Sequence, residues 1–396
     1  MFAVNFLRLE RSRQTRRKRF IMKEIRIGLV GAGWMGKDHA TSIANAQMLF
    51  GPQMGKAVFE MVADVNEANA KQACEKLGYK RYTTDWMELV KDPNVDLVDI
   101  CTPNSLHYVV AKAALENNKH IFCEKPLSIS AAESAELAQM AAERNVINYV
   151  GYNKLLNPAT AYIRDLIQSG KLGQIVRFTG TYDQDMLLDP QLPITWRHIN
   201  KFAGSGALGD LGSHMFSVSQ ALMGDIAAVN AIKSTVIKER PKAAGSTEMA
   251  TVENEDVIQI LVQYQNGAIG TIGSSRIATG RKNYLAFEIQ GTLGTVHYNL
   301  ERLMEVNVYF KSDDPADRGF RTVLLNPSHA GYSAFFGAGG IAIGYNDTKV
   351  LEFHELFEAV LEGQSYTSTF DFGARVDRTI GACIESAKSG SWVKLA

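Results

Sequence analysis

The hexapeptide Gly31-Ala32-Gly33-Trp34-Met35-Gly36 lies between a continuous apolar run, residues 25–30, and a stretch of helical spacing over 34–48. A G-x-G-x-x-G pattern alone says little, but one that follows a strand and opens a helix restricts the fold sharply. The first glycine allows a tight turn, the second lets a pyrophosphate reach the backbone, and the third lets helix and strand pack closely. The helix N-terminus then offers unpaired N–H groups and partial positive charge to phosphate. A ligand-free glycine turn and an S-adenosylmethionine site are the competing readings. Position within a βαβ unit favours a dinucleotide.

Further apolar runs fall at 58–63, 95–101, 120–123 and 146–150, each apolar enough to be covered on both faces. Helical stretches lie between them at 67–77, 85–90, 106–116 and 131–144. Such alternation predicts right-handed crossovers and a doubly wound parallel sheet, an α/β Rossmann domain over residues 23–150. From residue 151 the texture changes. One helix begins at Pro158, followed by strands at 174–183, 257–264, 268–276, 284–290, 295–299 and 304–310, with Asn266-Gly267 as a hairpin turn. Strands joined by turns predict an α+β second domain, 151–396, with a large mainly antiparallel sheet and helices at 209–223, 350–362 and 373–388.

Charge and cysteine usage narrow the partners. Lys+Arg and Asp+Glu are equal at 42 each, so no net field draws nucleic acid or an anionic membrane. No run approaches the ~18 apolar residues of a membrane span, and a small-molecule partner and a cytoplasmic location are expected. Cys74, Cys101, Cys123 and Cys383 have neither metal nor redox spacing and read as buried thiols in a reducing compartment. Residues 1–22, crowded with arginine, read as a disordered basic tail, with Met22 as the natural start.

At the end of the second strand, Asp64 can accept hydrogen bonds from ribose hydroxyls and repel a 2′-phosphate, which favours NAD over NADP. Two further segments sit at the carboxyl ends of strands, where parallel sheets hold ligands: Cys101-Thr102-Pro103-Asn104 with His107, and Glu124-Lys125-Pro126. In Gly209-Asp210-Leu211-Gly212-Ser213-His214, Asp210 and His214 stand four apart and share one helix face. On spacing alone a surface pair is the commoner meaning.

Taken together these residues resemble the Gfo/Idh/MocA family, named for glucose–fructose oxidoreductase, inositol dehydrogenase and rhizopine catabolism, over nearly the whole chain from Lys23. The resemblance implies that Lys125 stands near a nicotinamide and that the Asp210–His214 helix faces it. It implies cofactor contacts from Gly31, Gly33, Trp34, Met35, Gly36, Asp64, Thr102, Pro103, Asn104, His107, Glu124 and Lys125, a cis Lys125–Pro126 bond, and a homodimer or homotetramer paired through the second sheet. Oxidising an alcohol needs a base for the hydroxyl proton, and a histidine with an ordinary pKa near ~6.5 suits that task, which points to His214. By the resemblance, Lys125 stabilises developing alkoxide charge and Asp210 holds substrate or orients His214. No further histidine or cysteine stands at ligand spacing, so no metal is expected.

The loop leading to Asp210 carries Tyr182, Asp183, Asp185, Trp196, Arg197 and His198, the mixture of flat apolar surface and polar groups that sugar sites use. Asn153 and Lys154, at the domain junction, are second-rank substrate candidates. His329, Tyr332 and Tyr345 stand in a glycine-rich stretch that reads as a lid or an oligomer contact. The expectation is an NAD-dependent dehydrogenase that oxidises a ring hydroxyl of a sugar or cyclitol (inositol, pyranose, anhydrosugar or glycoside) to a ketone or lactone. An NAD-using, redox-neutral glycosidase and a non-catalytic NAD sensor are the alternatives.

Overall fold

The computed structural model describes residues 23–395, and the basic tail with Met22 lies outside the described residues. Six strands, β1 (Glu24–Val30), β2 (Lys56–Ala63), β3 (Arg81–Thr83), β4 (Leu97–Ile100), β5 (His120–Cys123) and β6 (Asn148–Val150), form a parallel sheet in the order β3-β2-β1-β4-β5-β6. Between them run α1 (Trp34–Phe50), α2 (Glu67–Leu77), α3 (Trp86–Lys91), α4 (His107–Glu116) and α5 (Ala131–Ala142). Strand order reverses between β1 and β4, which opens a crevice at their carboxyl ends. Ile27, Leu29, Leu97, Val98 and Ile121 are wholly buried, the reason these strands read as unbroken apolar runs. The polar β3, three residues at the sheet edge, carries no such signal. Asn66 and Asp85 start α2 and α3 by accepting the N–H of Asn69 and Met87.

After α6 (Pro158–Gln168), β7 (Ile175–Asp183) opens a second, nine-stranded sheet. It is completed by β8 (Ile226–Ser234), β11 (Val257–Tyr264), β12 (Ile269–Ser275), β13 (Tyr284–Gly291), β14 (Gly294–Asn299), β15 (Glu305–Phe310), β16 (Arg321–Leu324) and β17 (Val393–Lys394). Their order is β16-β15-β14-β13-β7-β12-β11-β8-β17, and the β7–β12 pair alone among them is parallel. A separate small hairpin joins β9 (Glu239–Pro241) and β10 (Met249–Thr251). Sequence periodicity misses β8 because its alanines, Asn230 and Lys233 have weak strand preference. Pairing with β11 decides its state.

Of the helices α7 (Asn200–Ala203), α8 (Ser213–Met223), α9 (Tyr345–Glu362) and α10 (Phe370–Ser389), α8 lies on the second sheet at Gly180, where an added Cβ would meet Met215 Sδ at 2.7 Å. α9 returns to the first sheet. It buries Val350, Phe353, Leu356 and Phe357 against Ile25, Ile43 and Phe122, and the Phe122 and Phe353 rings stack at 4.8 Å. Each such side chain contributes about 1.5–3 kcal/mol on burial, and α10 ties the two sheets together, its Phe370 N–H donating to Asn148 Oδ1 of β6 and its Ser386 Oγ accepting the Ala231 N–H of β8. No described helix is long and apolar enough to cross a membrane.

Candidate active site

Between the two sheets lies a cavity of about 910 Å³, entered by the carboxyl ends of β1, β2, β4 and β5. At one end Gly31 turns the chain at φ +100°, and a Cβ there would strike Cys101 O at 2.6 Å. A Cβ on Gly36 would meet Gly31 O at 2.2 Å, whereas nothing lies within 4 Å of one on Gly33. Two glycines thus permit the tight packing and the third leaves open room above the α1 N-terminus, as a pyrophosphate requires. Asp64 accepts N–H bonds from Ala32 (3.0 Å) and Asn66 (2.9 Å), which pins the glycine turn. Each carboxylate oxygen keeps a lone pair for a ribose hydroxyl. Trp34, Met35, Thr102, Pro103 and Asn104 line the same wall. These residues fit an NAD adenosine and pyrophosphate.

The other end is built from three segments. The Lys125–Pro126 bond is cis. Lys125 Nζ donates to Asp210 O (2.7 Å) and Asp210 Oδ1 (3.1 Å). Burial pushes the Asp210 carboxyl up, but Lys125, Arg197 and Arg276 outweigh it and hold it below its ordinary value. The segment Leu208–Gly212 is wound as a π-helix that runs directly into α8, so Asp210 sits on a wider turn than an α-helical spacing assumes. Its entry is held by Glu255, whose Oε1 accepts the N–H groups of Gly206 (2.7 Å) and Leu208 (3.0 Å). One helical turn on, His214 lines the cavity, with its Nδ1 buried and without a partner among the described residues. The rings of Tyr182 and Tyr152 stand edge-on to it, with centroids 5.9 and 6.1 Å away. Burial, then Lys125 and Lys154, hold the His214 pKa well below the ordinary histidine value. The imidazole is therefore neutral at neutral pH and can accept a proton.

His107 also lines the cavity, but its ring pins the loop: Nδ1 lies 2.7 Å from Pro126 O and Nε2 2.9 Å from Thr102 O. Burial lowers its pKa, and a neutral ring has one hydrogen for these two carbonyls. Trp196 and Arg197 form one wall, the guanidinium 4.4 Å from the indole centre. Tyr182 faces inward and donates to Asn283 Oδ1 at 2.6 Å.

Asp183, Asp185, His198, Asn153 and Lys154 fall outside the cavity lining, Asp185 paired with Lys282 at 2.6 Å. Asp183, the last residue of β7, stands between Tyr182 and Gln184 and points to the other face, where it accepts from Thr181 Oγ1. His198 is wholly buried, with Nδ1 accepting the Thr195 N–H. Asn153 is buried and donates Nδ2 to Thr348 Oγ1 of α9, with no partner for its Oδ1 among the described residues. Lys154 lies behind the wall, its Nζ 4.2 Å from the Tyr345 ring centre. The cavity also gains Gln184, Met186, Asn283 and Lys349, which no motif announced, and Tyr345, which the sequence offered only as part of a lid or an oligomer contact. For Gln184 the alternation of β7, carried one residue past its end, was an available signal. Tyr345 opens α9 and forms cavity wall, while Tyr332 is buried and donates to Ile341 O at 2.7 Å, bracing the glycine-rich stretch.

Two family models match the chain: the NAD-binding Rossmann fold of an oxidoreductase family over residues 25–152, and a GFO/IDH/MocA C-terminal domain over 160–297. The levoglucosan dehydrogenase of Pseudarthrobacter phenanthrenivorans is 38% identical over 383 residues, which cover 94% of this chain and 98% of that protein. A solved structure of levoglucosan dehydrogenase in complex with NADH and levoglucosan matches with a TM-score of 0.90 at 39% identity, over 94% of this chain and 99% of that one. An NAD-binding oxidoreductase from Klebsiella pneumoniae matches with a TM-score of 0.90 at 40% identity, over 94% and 100% of the two chains.

Proposed function

The chain belongs to the Gfo/Idh/MocA family and is an NAD-dependent oxidoreductase of sugars or polyols, and from that premise we propose that it oxidises a ring hydroxyl of a cyclic sugar, an anhydrosugar foremost, to the ketone. The observation that carries the reading is the meeting of Lys125, Asp210 and His214 in the cavity that also holds the glycine turn. The anhydrosugar is favoured by the 38% identity to a relative named for levoglucosan.

Bound NAD⁺ supplies the acceptor for the hydride of the carbinol carbon. The Lys125 ammonium has three N–H donors. Two serve Asp210, and the third is free to donate to the reacting oxygen and stabilise charge as it develops there. Neutral His214 takes the hydroxyl proton. Asp210 holds Lys125 in place, and Tyr182, Met186 and Trp196 supply apolar surface that excludes water from the sugar face.

NADH absorbance followed with NAD and a panel of anhydrosugars, pyranoses, glycosides and inositols tests the reading. Faster turnover of anhydrosugars than of inositols is expected. Release of sugar from glycosides without accumulation of NADH would replace it with the redox-neutral reading.

Lys154 offers a test of the base. Burial, reinforced by Lys349, brings its pKa down to about 7. It is about half charged at neutral pH and is one of the cations that depress His214. Lys154→Met removes that cation and lets His214 hold its proton to higher pH, so the acid limb of the kcat/KM profile is expected to move up. A limb that stays put or moves down excludes His214 as its source.

A further inference from the structure

From Glu124 and Lys349 on the cavity wall, a chain of buried charges that the roles above leave unused runs back to His39, Asp99 and Glu352. His39, on α1, has Nδ1 2.9 Å from Asp99 Oδ1 on β4 and Nε2 3.0 Å from Glu124 Oε1 beyond β5. With a carboxylate at each nitrogen, the ring carries both protons. Burial opposes the charge, but Asp99 and Cys101 outweigh it and raise the His39 pKa well above the ordinary value. Glu124 Oε1 also accepts from Lys349 Nζ of α9 at 2.6 Å, and Oε2 accepts the Lys125 N–H at 3.0 Å. Lys349 Nζ in turn lies 3.0 Å from Glu352 Oε2. His39, Asp99, Lys349 and Glu352 are at most 1% exposed and Glu124 7%. The ligand atoms of His39, Asp99 and Cys101 lie within 4.8 Å of one another, but a metal there would have to displace an imidazolium proton and a thiol pushed up to about 12 by burial and Asp99.

A carboxylate this deep persists as an anion only when paired. Glu124 immediately precedes Lys125, so the partners of Glu124 decide what Lys125 is left to do. Cations from α1 and from α9, the latter 225 residues along the chain, occupy the carboxylate, and Lys125 Nζ reaches Asp210 instead. We propose that Lys349 is a positioning residue: acting with His39, it neutralises Glu124 and thereby reserves the Lys125 ammonium for Asp210 and the substrate oxygen. The inference rests on the role assigned to Lys125 above.

Lys349→Met deprives Glu124 of one cation, and Lys125 becomes the substitute. In the NAD-saturated enzyme kcat is expected to fall about 10–100-fold, the scale of a misplaced catalytic group, with sugar KM little changed. In the NAD-free protein, acylation of Lys125 by acetic anhydride, read by peptide mass spectrometry, is expected to slow severalfold. The double variant Lys349→Met/Glu124→Gln removes the anion together with its cation. A glutamine at 124 can donate its amide N–H to a neutral His39, so kcat and acylation rate are expected to recover most of the loss. A single variant with unchanged kcat and acylation overturns the proposal, as does a folded double variant no better than the single. If the single variant does not fold, the double decides: near-native kcat supports the proposal and kcat as low as that of Lys125→Met overturns it. Should Lys125→Met itself retain full kcat, the role of Lys125 falls, while the acylation rates still report whether Lys349 controls it.

Discussion

Lys125→Met is expected to lower kcat by roughly 10²–10³-fold, the cost of removing one pre-placed donor to a developing oxyanion, with a far smaller change in sugar KM. Methionine keeps the length of the side chain and lacks the charge. Lys125 is 16% exposed at the side chain and directs two N–H groups to Asp210, so its remaining donor is fixed in direction before any substrate arrives. That preorganisation is what the variant loses. NAD binding, followed through the fluorescence of the cavity residues Trp34 and Trp196, is expected to persist, because the glycine turn and Asp64 form the opposite end of the cavity. Equal losses of NAD binding and turnover would move Lys125 from the chemistry to the cofactor.

His214→Ala carries a loss of about 10²–10⁴-fold, the usual contribution of a positioned general base. The sign of the pH dependence follows from the burial of His214 and its lysine neighbours. A depressed pKa leaves the imidazole able to accept a proton down to a pH well under the ordinary histidine range, and activity falls only as pH drops through that depressed value. In the alanine variant the residual kcat/KM should lose this acid limb. A limb that survives unchanged would assign it to another group and leave His214 a binding role.

Motifs at strand ends were legible because their chemistry is local. Gly31, Gly33 and Gly36 are dictated by one turn, and Lys125, Asp210 and His214 stand in short patterns whose spacing survives folding, even though the Asp210 turn is π rather than α. Asp64 followed from its place after β2. Asp183, Asn153 and His198 carry suitable chemistry too, but a strand turns alternate side chains to opposite faces, and the other two are wholly buried off the cavity beside Thr348 and Thr195. Composition and proximity in sequence cannot register either effect.

The sequence by itself determined the alternation of buried strands and amphipathic helices, hence the parallel first sheet, together with the glycine turn that shapes one end of the cavity. These depend on hydrophobic period and on backbone freedom, both properties of short segments. Only the tertiary structure decided that β7 and β12 run parallel, that β8 is a strand, that Gln184, Asn283 and Tyr345 form cavity wall, and that Lys349 meets Glu124. Each of these depends on a partner far along the chain. For Lys349 and Glu124, an ion pair between groups at most 7% exposed, burial is the physical reason: charges this deep are held only in a mutually paired cluster, which His39 and Glu352 complete.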